Sequence, residues 1–204
     1  MKAFLYFFVA ALFIPLVNIA QYYEDMFPIN DETQKITYST IGEIKDKSQT
    51  KLYDLAKAWI SSKILTEDNS LILDDKEAGK MIAKGGFRVE YVDKGLLSSC
   101  GLKYNLVYTI KVFIKENRYK CEITDLKFQK YKSGGYTGVY WGYGMYTGKA
   151  RPDEVIEYDL EDYYPVEKKQ SCKNSWENIF QDIDKEIKEI TESLRIAMNE
   201  KDDW

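Results

Sequence analysis

The sequence predicts an α+β fold: an antiparallel sheet of about five strands with two helices on one face, in the order β-α-β4-α. Three observations carry this. Near the C-terminus, Trp176, Phe180, Ile183, Ile187, Ile190, Leu194 and Ala197 recur at alternating steps of four and three, one continuous apolar stripe on a long helix. In the middle, Tyr104, Leu106, Tyr108, Ile110, Val112 and Ile114 fall at every second position down one strand. Earlier, Leu52, Leu55, Ala56, Trp59 and Ile60 form a second helical stripe. A wide sheet that is apolar on one side needs a cover, and helices laid across it supply one.

Taken in order, "TQKITYSTIGEI" (33–44) reads as the first strand, with Ile36 and Tyr38 on one face. The first helix follows, with Asp46 or Ser48 placed to cap its start. "EDNS" ends it and "LILDD" opens the next strand. "EAGKMIAKGGFRVEYV" is extended, and Gly85-Gly86 predicts a bulge or bend there. The central hairpin turns at Glu116-Asn117-Arg118 and returns Tyr119, Cys121 and Ile123 on its apolar face. Lys111, Lys120, Glu122 and Thr124 fall on the opposite, wet face. A long connection, 131–170, then leads to the terminal helix.

The opening "MKAFLYFFVAALFIPLVNIA" has one lysine, fifteen apolar residues from Ala3 to Val17 and a small-residue exit at Ala20. That is the pattern of a secretory signal peptide cleaved after Ala20. The competing reading, a membrane anchor, needs about 20 apolar residues, and this run is shorter and broken by Pro15. The predicted organisation is a signal over 1–20, an N-terminal extension over 21–32 and one domain over 33–204. The exported chain would be periplasmic or secreted, with no stable membrane span.

The whole chain carries a net charge of −4, with 29 basic and 33 acidic residues. Loss of Lys2 with the signal leaves 28 basic residues and −5. Basic residues are interspersed with acids along the sequence, which argues against nucleic acid as a partner. Histidine is absent, so the usual general base and the commonest metal ligand are both missing. No cofactor is expected. The three cysteines, Cys100, Cys121 and Cys172, have no metal spacing. Register through the central turn sets Cys121 opposite Val112 and far from Cys100. Cys121 is therefore expected as a buried apolar residue, which leaves Cys100–Cys172 as the pairing to consider.

The phrases "DLAKAWISSKI", "LILDDKEAGKMIAKGGF" and "YTIKVFIKENRYKCEITDLKF" resemble a family of secreted proteins, mostly from Bacteroidetes, grouped as domain of unknown function 4468 with a TBP-like fold. The resemblance runs from about Ile36 to Phe128. It implies the same element order and no activity. Relatives of that fold include DNA-binding saddles and cavity-forming lipid carriers, so the fold selects no function.

Candidate sites are few. Gly79-Lys80 lacks the spacing and hydroxyl of a phosphate loop, and reads as a turn. Asp74, Asp75 and Glu77, and again Asp159, Glu161 and Asp162, lack the calcium-loop pattern and read as solvated charge. The stretch 131–149 holds five tyrosines, one tryptophan and six glycines. Tyr136, Tyr140, Trp141, Tyr143 and Tyr146 follow neither a two- nor a 3.6-residue period. Such aromatics on a glycine-rich loop offer contact area with little entropy to lose, or else the stretch folds over a sheet edge or extends the last hairpin and buries those rings. The sequence thus predicts an exported, non-catalytic binding or interaction module of the cell envelope. Its partner would be a protein, a glycan or a small apolar ligand. Two alternatives are a carrier holding an apolar molecule between the sheet and the terminal helix, and a hydrolase working with carboxylates alone.

Overall fold

The computed structural model describes residues 26–64, 70–94, 99–132, 136–141, 145–150, 154–165 and 172–200; for 93–94, 99–100, 136–141 and 145–150 it describes the backbone alone. Strand β1 is Tyr38–Glu43 and helix α1 is Gln49–Trp59, closed by a π-turn at Ile60–Ile64. Strands β2 (Leu71–Asp75), β3 (Lys80–Lys94), β4 (Ser99–Lys115) and β5 (Arg118–Lys132) follow. Then come β6 (Tyr136–Trp141), β7 (Met145–Ala150), β8 (Glu154–Asp159) and helix α2 (Lys173–Met198). The segment expected as a connection therefore holds three strands. The expected signal, 1–20, lies outside the described residues.

The main sheet has six strands rather than five: β1-β5-β4-β3-β2, with β8 also on β5. All pairings are antiparallel. β5 shares one edge between two partners. Its residues 118–123 pair with β1, and its residues 127–132 pair with β8. Between them the β4–β5 ladder slips at Val107/Thr109, and Asp125 takes a left-handed φ of 53°. This bulge reverses the alternation of β5. Tyr119, Cys121 and Ile123 are buried before it, Leu126 and Phe128 after it. It also buries Thr124, expected on the wet face, at 8% exposure. The expected bulge at Gly85-Gly86 is absent: β3 and β4 pair without a slip from Lys80 to Lys94. Gly85 instead faces Tyr108 across the ladder, and a Cβ there would run into the tyrosine ring. The β4–β5 turn is tighter than expected, with Lys115 paired to Arg118 and Asn117 at φ 60°.

Asp125 is one of the few residue types that tolerates the left-handed region, and it accepts a hydrogen bond from Lys35 Nζ at 2.6 Å. That ammonium holds its carboxyl below the usual range. A depressed pKa stabilises the fold above the ordinary carboxylate range, and the contribution fades as pH falls below it. The pair is partly exposed, so Asp125→Asn should cost only about 0.5 kcal/mol at neutral pH. Asp125→Val, which forces a branched residue into the same backbone, should cost about 2 kcal/mol. Urea melts of both variants check the contrast.

One face of the sheet is sealed. Ser48 caps α1 by accepting from the Lys51 N–H at 3.3 Å. From α1, Leu52, Tyr53, Ala56 and Trp59 are buried against the sheet. From α2, Trp176, Ile179, Phe180, Ile183, Ile187, Leu194 and Met198 are buried. Ile190 and Ala197 of the expected stripe are half-buried, while Ile179 and Met198 extend it. Trp176 stacks on Tyr163 at 4.9 Å and on Tyr104 at 5.6 Å between ring centres. Phe27, upstream of β1, joins this layer edge-on to Tyr164 at 4.8 Å. Two polar clamps fix the helices: Trp59 Nε1 donates to Ser193 Oγ at 2.9 Å, and the Tyr38 hydroxyl donates to Asp184 at 2.8 Å.

Candidate functional site

Because both helices lie on one face, the other face of the sheet is open, and strand alternation decides what it shows. On β3, β4 and β5 the outward positions hold Lys80, Lys84, Arg88, Lys103, Lys111, Lys115, Arg118, Lys120 and Lys127. The acids among them are Glu90, Glu122 and Asp125. Nine basic against three acidic groups make a band of net +6 on a chain whose total is −4. Glu43, Asp75, Glu157 and Asp159 border it from the flanking strands. Basic residues that look scattered in the sequence are thus gathered by the two-residue period. The signal was present: in 103–120 every lysine and arginine falls on the phase opposite to the buried residues.

Two clefts mark this face. The first, about 450 Å3, lies at the hairpin end and is lined by Ile41, Phe113, Lys115, Arg118, Lys120 and Glu122. Its floor is apolar; Ile41 is 67% exposed. Lys80 Nζ sits 5.6 Å from the centre of the Phe113 ring. Glu122 is engaged by Lys120 at 2.6 Å, whereas Lys115 and Arg118 make no ion pair among the described residues. The second, about 410 Å3, is framed by Gly86, Arg88, Asn105, Val107, Tyr131 and Val155. Tyr131 is 63% exposed there.

Two carboxylates of this face, Asp125 and Glu157, are held in the deprotonated form. Asp125 is held ionised by Lys35. Glu157 is held low by the Gln129 side-chain amide at 2.9 Å and by Lys127. A glycosidase-type general acid needs its pKa raised, and neither group has that. The sequence clusters turn out to be structural. Asp74 accepts hydrogen bonds from Tyr53 and Lys57, Asp75 accepts from the Ala78 N–H at 2.9 Å, and Glu161 accepts from the Ile36 N–H at 2.7 Å. No group of three His, Cys, Asp or Glu suited to a metal occurs among the described residues. Among them, too, no helix is long and apolar enough to cross a membrane.

The Gly/Tyr stretch forms a two-stranded ribbon of β6 and β7. Tyr140 pairs with Tyr146 and Trp141 with Met145, which places positions 136, 140 and 146 on one face and 141 on the other. Lys132 pairs with Glu154 in the β5–β8 ladder and Tyr136 with Ala150 in the ribbon, so the two ladders are in phase. The ribbon is a separate two-stranded sheet among the described residues. Tyr143 lies outside the described residues. Cys172, at φ 63° before α2, is disulfide-bonded. Cys121 is a free thiol facing Val112, and burial pushes its pKa up to about 12. The side chain of Cys100 is outside the described ones. Between sheet and α2, where a carrier would hold its cargo, the described space is filled by Phe180, Ile183, Ile187 and Leu194, each at most 1% exposed.

Residues 38–129 match the family model described as "Domain of unknown function (DUF4468) with TBP-like fold". The chain is similar to a crystal structure of a DUF4468 family protein from Bacteroides ovatus, with a TM-score of 0.59 and 16% identity over 91% of this chain and 97% of that one. It is also similar to a TBP-like protein from Parabacteroides distasonis, with a TM-score of 0.52 and 16% identity over 87% and 100%. At such identity the likeness speaks of the fold. No curated protein matches the sequence. The match covers the first strand, the first helix and the long hairpin of the sheet, and over those residues the chain is similar to the DUF4468 family, of unknown function and TBP-like fold.

Proposed function

We propose that the protein is an exported, non-catalytic binding module that holds an anionic partner on the open face of its sheet. The observation that carries this is the net +6 band on β3–β5, with an apolar-floored cleft at its hairpin end and a more polar cleft around Arg88 and Tyr131, on a chain of net −4. Opposite charge steers a partner to the band, and the hairpin-end cleft accepts its apolar parts. Export rests on the apolar run 3–17 and its small-residue exit. The absence of histidine and the ionised state of Asp125 and Glu157 support a role without catalysis.

The test is a titration of isotope-labelled protein with hexaglutamate, followed by amide chemical shifts, with hexalysine as the contrast. Hexaglutamate should perturb amides of β3, β4 and β5, and its affinity should fall about tenfold when salt rises from ~20 to ~200 mM. The Lys111→Glu/Lys115→Glu variant should abolish the response while keeping its melting temperature. Equal responses to both peptides, or none, would overturn the reading.

A further inference from the structure

We propose that the edge of β3 beyond Lys84, which no described residue covers, pairs with the same edge of a second copy of this chain, joining two sheets into one. The pairing does not require the open-face reading, although Arg88 and Glu90 belong to both surfaces. β3 is fifteen residues long, but β2 covers it only through Ala83, with one further bond from the Lys84 N–H to the Ser70 carbonyl at 2.8 Å. The β3–β4 ladder runs on without a slip. Alternation therefore turns the backbone groups of Gly86, Arg88, Glu90 and Val92 outward like those of Lys84. Among the described residues no strand or side chain meets them. A row of donors and acceptors with no partner among the described residues fits another extended backbone.

The sequence of this edge selects a second copy. Only registers that set even positions opposite even positions match the outward backbone groups. An antiparallel pair centred on Val89 sets Arg88 opposite Glu90 of the partner subunit, twice by symmetry. It also sets Phe87 opposite Tyr91 of the partner subunit on the inner face. Centring on Arg88 or on Glu90 would oppose like charges. Arg88 and Glu90 are 53% and 48% exposed; they pair with each other at 3.3 Å and Glu90 also meets Lys103 at 3.8 Å, exposed contacts that a neighbour can exchange. Room exists beside the edge, in a cleft of about 410 Å3 between Phe87–Glu90 and the Asp182, Lys185 and Glu186 positions of α2. The two-fold axis stands normal to the sheet, so both open faces end on the same side. A strand edge alone buries less than a standard interface, which sets the affinity in the micromolar range.

Sedimentation of the full chain from ~10 μM to ~1 mM should show a monomer–dimer equilibrium. Amide exchange of Gly86, Arg88, Glu90 and Val92 should slow as concentration rises. Arg88→Glu and Glu90→Arg should each weaken association at least tenfold, with melting temperature unchanged since both side chains are exposed. The double variant Arg88→Glu/Glu90→Arg restores opposite charges and should recover the dimer. A monomer at 1 mM overturns the proposal. So does association that survives Arg88→Glu, or a double variant weaker than both single ones. Hexaglutamate binding that persists in a monomer would separate this failure from failure of the open-face reading.

Discussion

Ile187→Asp should cost about 4 kcal/mol or more and leave the domain largely unfolded at 37 °C. Ile187 is fully buried in the middle of α2, in the row that seals the sheet. Aspartate there loses the apolar burial, worth about 2 kcal/mol. It also places a carboxylate among apolar side chains with no basic partner, which costs several more unless the group takes up a proton. Domains of this size have about 5–15 kcal/mol of stability in all. The melt should therefore shift strongly, and partial rescue at acidic pH would mark protonation of the buried group. A variant that melts like the parent would show that α2 is dispensable to the core.

Gly79→Val should cost about 3 kcal/mol or more. Gly79 closes the β2–β3 turn at φ 62°, and a Cβ would run into the Ile114 carbonyl oxygen. Its own carbonyl accepts the Ile114 N–H at 2.7 Å, so the turn cannot drift away to make room. A branched residue adds left-handed strain of about 1–3 kcal/mol to the overlap with backbone. Gly79→Ala should cost less, but more than about 1 kcal/mol. The penalty needs no phosphate. If Gly79→Val melted normally, the packing account of this glycine would fail.

The parts of the fold that were legible are those whose period runs long. The α2 stripe repeats through 26 residues, and the β4–β5 hairpin alternates around one short turn. Tyr53 was missed because it lies beside the stripe as a polar-tipped ring, yet it is 1% exposed with its hydroxyl on Asp74. The phase reversal in β5 was illegible because "ITDL" carries no local sign of a left-handed aspartate; Lys35 and β8 impose it from far along the chain. β6 and β7 were missed because Gly, Thr and Tyr give little contrast between faces. Their register keeps the numerical phase of the β5–β8 ladder. The basic band was hidden by reading charge along the chain, where lysine and glutamate alternate, and not across neighbouring strands.

The placement of β1 at the edge of β5 sets an order of assembly. Tyr38 pairs with Ile123 and Glu43 with Arg118, so the first strand to leave the ribosome meets its partner roughly eighty residues later. Bringing such distant segments together carries a loop-closure entropy that local hairpins avoid. The β3–β4 and β4–β5 hairpins form from neighbours in the chain and supply a template. β1 docks on it late, and the high contact order of that step slows the whole reaction to milliseconds or longer. Until then Ile36 and Tyr38, both bound for the core, stay solvent-facing. A nascent chain stalled before residue 118 holds no partner for its own first strand.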